Sequence, residues 1–185
     1  MYQPRPGIMQ YVDFINDLER GLIKIPQFQR DFVWTKENAA RLLDSIVKGF
    51  PIGTFILWKT NERLRSIRNI GELDFPATPE GDFIQYVLDG QQRMTSLYAG
   101  IKGCNIIRKE KKEDYSEIYV DLDANEDGEI VTVDISRKDE STYIKVTELL
   151  NAAFTALIKK YNEKQVEKIE DYRKSLTHIP FQQLQ

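Results

Sequence analysis

The stretch YVLDGQQRMTSLYAG, residues 86–100, joins two different periodicities through a single glycine. Phe83 to Leu88 is an apolar run with the composition of a short buried strand, whereas Met94, Leu97, Tyr98 and Ile101 recur at helical spacing until Gly103. Between them lies Asp89-Gly90-Gln91-Gln92-Arg93. A strand that passes straight into a helix sets the first-turn backbone N–H groups, which have no acceptor within the helix, beside a guanidinium. That arrangement suits phosphate. Gly90 lets the backbone approach a ligand or take positive φ, Arg93 can fork two phosphate oxygens, and Asp89 can hold a Mg²⁺ ion or orient the arginine. Gln91 and Gln92 can hydrogen-bond a nucleotide or position a water. An equally economical reading has Asp89 capping the helix and Gln-Gln-Arg as its exposed first turn, and the motif alone does not choose between the two.

Upstream, Ile8, Tyr11, Val12, Ile15 and Leu18 recur at helical spacing before Gly21, which predicts an amphipathic helix over 8–20. LIKIPQFQRDFVW follows, rich in β-branched and aromatic residues but interrupted by Pro26, as suits an extended edge segment. It supplies a second arginine, Arg30, with Gln29 beside it. Thr35 is placed to cap a helix over 36–48 whose Ala39, Ala40, Leu43, Ile46 and Val47 share a face, with Gly49 closing it. TFILWK, residues 54–59, reads as a strand, and 61–82 as a surface excursion.

Downstream, RKEKKED over 108–114 reads as a solvated loop, and EIYVDLD and EIVTVDIS flank ANEDG as a β-hairpin turning near Asp127-Gly128. From Thr147 the apolar spacing predicts two helices or one bent one, ending at IPFQQLQ without a stop signal, as in a fragment of something longer. The expected organisation is a domain over 1–146 and a helical extension over 147–185.

Composition narrows the function classes. The hydrophobic content of 41% in 185 residues suffices for a core, and a net charge of −3 with both signs spread through the chain advertises no nucleic-acid-binding half. One cysteine, Cys104, rules out an internal disulfide or a cysteine-based zinc site and suits a reducing cytoplasm. No run approaches the roughly 18 apolar residues of a membrane span. DLDANEDGE imitates a calcium loop at Asp121, Asp123 and Asn125, but Glu126 stands where that loop needs glycine, so it reads as a hairpin tip. The lone histidine, His178, cannot by itself build a multi-histidine metal site.

Taken in order, IPQFQRDFVW, LLDSIVKGFPIGTFILW and VLDGQQRMTSL resemble the N-terminal domain family of GmrSD-type, type IV restriction systems, closely over residues 8–103 and loosely beyond. That family looks like a branch of the ParB and sulfiredoxin superfamily. The resemblance implies an α+β fold: a small mixed sheet with flanking helices, a β-hairpin and a C-terminal helical segment. It implies a nucleotide site in which Gln29, Arg30, Asp89, Gly90, Gln91, Gln92, Arg93 and Thr95 lie near phosphates and Gly49, Pro51 and Gly53 lie nearer the base. Catalysis of hydrolysis would fall to Asp89, Gln91, Gln92 and Arg93, with Mg²⁺ on Asp89. The implied protein is a cytoplasmic NTP-binding module that governs a nuclease domain or subunit and meets modified DNA through the assembled system, with homo-oligomerisation left open and no membrane contact. The alternative is a non-enzymatic DNA-binding or adaptor domain.

Overall fold

The computed structural model describes residues 6–66, 69–70, 73–108, 111–136, 139–178 and 180–184. Strand β1 (Pro6–Gln10) leads into helix α1 (Tyr11–Glu19), which buries Tyr11, Phe14, Ile15 and Leu18. Strand β2 (Ile23–Lys24) precedes helix α2 (Lys36–Val47). Thr35 caps α2 as the sequence predicts, and reciprocally: its hydroxyl accepts from the Asn38 N–H while the Asn38 side chain accepts from the Thr35 N–H. Strand β3 (Phe55–Thr60) follows. The 61–82 excursion carries a small hairpin of β4 (Asn69–Ile70) and β5 (Leu73–Asp74). Strand β6 (Ile84–Asp89) then passes through Gly90 into helix α3 (Gln91–Lys102), which Gly103 ends in the left-handed conformation.

The second half holds a hairpin of β7 (Asn105–Arg108) and β8 (Lys111–Asp114), then β9 (Tyr119–Asp121) and β10 (Val131–Thr132). Strand β11 (Tyr143–Lys145) leads into helices α4 (Val146–Asn151), α5 (Phe154–Lys160) and α6 (Glu163–His178), and the described chain closes on β12 (Pro180–Leu184). The main sheet has the order β1-β12-β3-β6-β2. It is mixed: β6 runs antiparallel to β3 and parallel to β2, and β12 runs parallel to β3 and antiparallel to β1. A second sheet, β10-β9-β11, contains the expected hairpin, which turns where the Gly128 N–H donates to the Asn125 carbonyl.

One hydrophobic cluster runs from Tyr11 and Phe14 of α1 through Leu43 of α2 and Leu97 of α3 to Val166, Ile169 and Leu176 of α6. Full burial of one such leucine contributes about 1.5–3 kcal/mol, so the shared cluster is what holds α6 against the N-terminal helices. Asp44 ties α2 to the second sheet, its Oδ1 accepting from the Ile130 N–H at 2.8 Å and the Val131 N–H at 3.0 Å. Asp44→Ala is expected to cost about 2 kcal/mol, since two part-buried amides lose a charged acceptor. Asp44→Asn, which keeps an acceptor oxygen, should retain most of that in chemical denaturation.

Three expectations require correction. The helix expected over 8–20 begins only at Tyr11, because residues 6–10 pair with β12 over a ladder that includes Ile8 opposite Gln182, leaving Ile8 73% exposed. The run 108–114, expected as a loop, includes the end of β7 and all of β8, with residues 109 and 110 outside the described set. Its charged side chains did not forbid a strand, because buried Ile106 and Tyr115 anchor that hairpin. The C-terminal segment is three helices followed by a strand. Asn162 and Gln165 start α6 with mutual side chain to backbone bonds, a capping-box signal that could have marked the break.

Candidate functional site

The carboxyl end of β6 and the amino end of α3 meet at Gly90, whose φ is +94° and whose added Cβ would lie 2.6 Å from Phe55 Cδ1. Both the dihedral and the close ring require glycine there. Asp89 faces solvent with its side chain 64% exposed, whereas Gln91 and Gln92 are buried at 4% and 6%. The exposed polar first turn considered from the sequence therefore holds for neither glutamine.

Gln92 is a clamp. Its Oε1 accepts from the Val33 N–H at 2.9 Å and the Trp34 N–H at 3.3 Å, and its Nε2 donates to the Asp31 carbonyl at 2.9 Å. Gln29 makes the reverse connection, donating to the Leu88 carbonyl at 3.1 Å and the Val87 carbonyl at 3.4 Å. Arg30 stands between these fastenings, exposed. Arg93 binds the third motif segment: Nη1 donates to the Ile52 carbonyl at 2.7 Å and Nη2 to the Thr54 carbonyl at 2.9 Å. Its guanidinium also lies 5.0 Å from the centre of the Phe55 ring and 3.3 Å from Asp89 Oδ2. An added Cβ on Gly53, at φ +84°, would stand 2.5 Å from Arg93 Nη1.

Three separate sequence motifs are thus joined by side chain to backbone hydrogen bonds around the start of α3. Gly53 lies in the bonded loop, while Gly49 and Pro51 are exposed further along it, and Gly49 serves chiefly to close α2 as its N–H donates to the Ile46 carbonyl. Thr95 is buried one helical turn below Gln91. Gln91 Nε2, Thr95 Oγ1 and Ser96 Oγ are buried without hydrogen-bond partners. Ser96 and Phe55 were not singled out from the sequence. Phe55 reads there as an ordinary core residue of a short strand, and only its contacts with Gly90 and Arg93 mark it. Among the described residues no group of three or more His, Cys, Asp or Glu side chains is placed to share a metal ion, so at this turn Asp89 could offer an ion one carboxylate.

A sequence profile of the GmrSD restriction endonuclease N-terminal domain matches residues 11–184. The chain belongs to this family. The match takes in the whole path from α1 to β12, so the family likeness extends well past the region of close resemblance around the three motifs. This GmrSD N-terminal domain is also similar to an uncharacterised protein of Methanocaldococcus jannaschii, at 34% identity over 116 residues, which make up 60% of the chain. It spans 20% of the length of that relative. No helix among the described residues is long and apolar enough to cross a membrane.

Proposed function

We propose that this domain binds a nucleoside triphosphate at the Asp89–Arg93 turn and, through its binding and hydrolysis, governs a nuclease domain or subunit that restricts modified DNA. The observation that carries the reading is the placement of Arg30. The residue before it is bonded to Leu88 and the carbonyl of the residue after it to Gln92, so the backbone of an exposed arginine is fastened on both sides to the β6–α3 turn. Backbone N–H groups that no helical carbonyl accepts, together with a positive helix end and an arginine, form an anion site in elementary electrostatic terms.

The residues divide by what their polar atoms already do. Gln92 and Arg93 are engaged with backbone and act as positioning residues, holding the Arg30 segment and the Gly53 loop. Arg30 and the first-turn N–H groups are the phosphate contacts. Gln91 Nε2 has no hydrogen-bond partner within the chain, so positioning of an attacking water falls to it. Asp89 would be the residue to hold a Mg²⁺ ion, whose charge would offset that of the phosphates. Membership of the GmrSD family supports the restriction role.

Arg30→Ala is the clean test, because Arg30 is exposed and its removal leaves the fold intact. Titration with each of the four common NTPs in the presence of Mg²⁺ should show at least about tenfold weaker binding in the variant, the effect of removing one charge-assisted hydrogen bond. Undiminished affinity would remove the phosphate assignment.

A further inference from the structure

At the other end of β6 a cleft of about 970 Å³ opens between the β2–β6 edge and the 61–82 excursion. Its described lining includes Lys24, Arg63 and Arg65, with Gln27, Ser66 and Thr78 as neutral polar groups, and holds no carboxylate among the described residues. Exposure alternates over residues 63–66, with Arg63 and Arg65 exposed and Leu64 and Ser66 half-buried. That is the period of extended chain, so the two arginines project to one side about 7 Å apart. They are kept in place from behind. The Leu64 N–H donates to the buried Tyr86 hydroxyl at 2.7 Å, the Gln27 N–H donates to the Arg65 carbonyl at 3.0 Å, and Ser66 bridges to Pro26. Lys24 is oriented by donating to the Pro76 carbonyl at 3.1 Å. Arg63 donates to the Asp82 carbonyl at 3.2 Å, and neither arginine forms an ion pair among the described residues.

We propose that this cleft seats the phosphodiester backbone of a DNA strand, separately from the nucleotide turn at the opposite end of β6. Two guanidiniums at successive same-side positions of an extended segment match a linear row of singly charged phosphates better than one compact anion. Beside them Leu64, Phe75, Pro76 and Ala77 form an apolar wall against which sugars and base edges can rest. A chain of net charge −3 has no general attraction for DNA. Any DNA contact must therefore be local, and in this cleft Arg63 and Arg65 face a described lining that contains no carboxylate.

The test is binding of a short fluorescein-labelled DNA duplex to the full chain across a salt series, for wild type and for the double variant Arg63→Ala with Arg65→Ala. Wild type should bind at low salt, with affinity falling steeply as salt rises. The double variant should melt like wild type, bind more weakly at low salt, and show a log–log salt slope shallower by about 2, one unit for each phosphate no longer neutralised. NTP binding, measured on the same variant, should not change. An unaltered slope and affinity in the variant, or no DNA binding by wild type at low salt, would overturn the proposal. So would loss of NTP binding in the variant or displacement of the duplex by inorganic phosphate beyond that caused by chloride at equal ionic strength, since either result would make the cleft a small-anion site. The Arg30→Ala result bears only on the nucleotide turn, so the two readings fail independently.

Discussion

Arg93→Ala is expected to lower the stability of the fold by about 4 kcal/mol. The side chain makes two hydrogen bonds to the Ile52 and Thr54 carbonyls from a position only 20% exposed. Each such bond from a charged donor is worth about 1.5–3 kcal/mol, and the guanidinium over Phe55 adds about 0.5–1 kcal/mol. The ion pair with Asp89 contributes little, because that carboxylate is 64% exposed and screened by water. Asp89→Asn should therefore stay within about 0.5 kcal/mol of wild type. Arg93→Lys should recover little, since an ammonium lacks the planar fork that reaches two carbonyls at once. Denaturant titration of the three variants separates the contributions. An Arg93→Ala protein within about 1 kcal/mol of wild type would show that the 52–54 loop holds its position without the arginine.

Gln92→Ala is expected to cost about 3 kcal/mol and to act locally first. It strips the acceptor from the Val33 and Trp34 N–H groups and the donor from the Asp31 carbonyl, and it leaves a void where a 6% exposed side chain stood. The exposed position of Val33 lets water replace part of what is removed, which keeps the figure below the sum of three buried orphans. Native-state hydrogen exchange is the direct readout: the amides of Val33 and Trp34 should lose protection while that of Leu97, deep in α3, changes only by the global loss. Gln92→Glu, which retains the acceptor and loses the donor, should fall between. Equal protection of Val33 and Trp34 in Gln92→Ala and wild type would mean that the Arg30 segment is held by Gln29 alone. In the proposed function that segment carries the phosphate-binding arginine, so a loosened segment should also raise the Kd for NTP without removing any group that touches it.

Much of the framework was legible along the chain. The Thr35 cap, the apolar face of α2, the strands flanking residues 61–82, and the Gly90 and Gly103 limits of α3 are local features, written in neighbouring residues and read by local rules. The candidate site was legible as a set of types: an arginine, two glutamines and an acid at a strand-to-helix turn. Their division of labour was not. Nothing in QQR distinguishes Gln91, buried with an unmatched amide, from Gln92, bonded to a segment about sixty residues earlier. The partners of Gln92 and Arg93 are backbone groups, which any residue presents, so no side-chain pattern announces them. The basic cleft was invisible for a related reason. Lys24 and the Arg63–Arg65 pair are ordinary surface charges until β2 docks on β6 and the excursion folds back beside them.

The sequence by itself determined the periodicities, the Thr35-capped start of α2, the glycine positions and the family. Tertiary structure alone decided that residues 6–10 leave a helical pattern to pair with β12, that β12 enters the main sheet between β1 and β3, and that the motif side chains fasten one motif to another. The physical reason is the range of the interactions. Caps, turns and amphipathic stripes are energetics of residues a few positions apart, whereas strand pairing and side chain to backbone clamps arise only when distant segments are brought together by burial of the shared core.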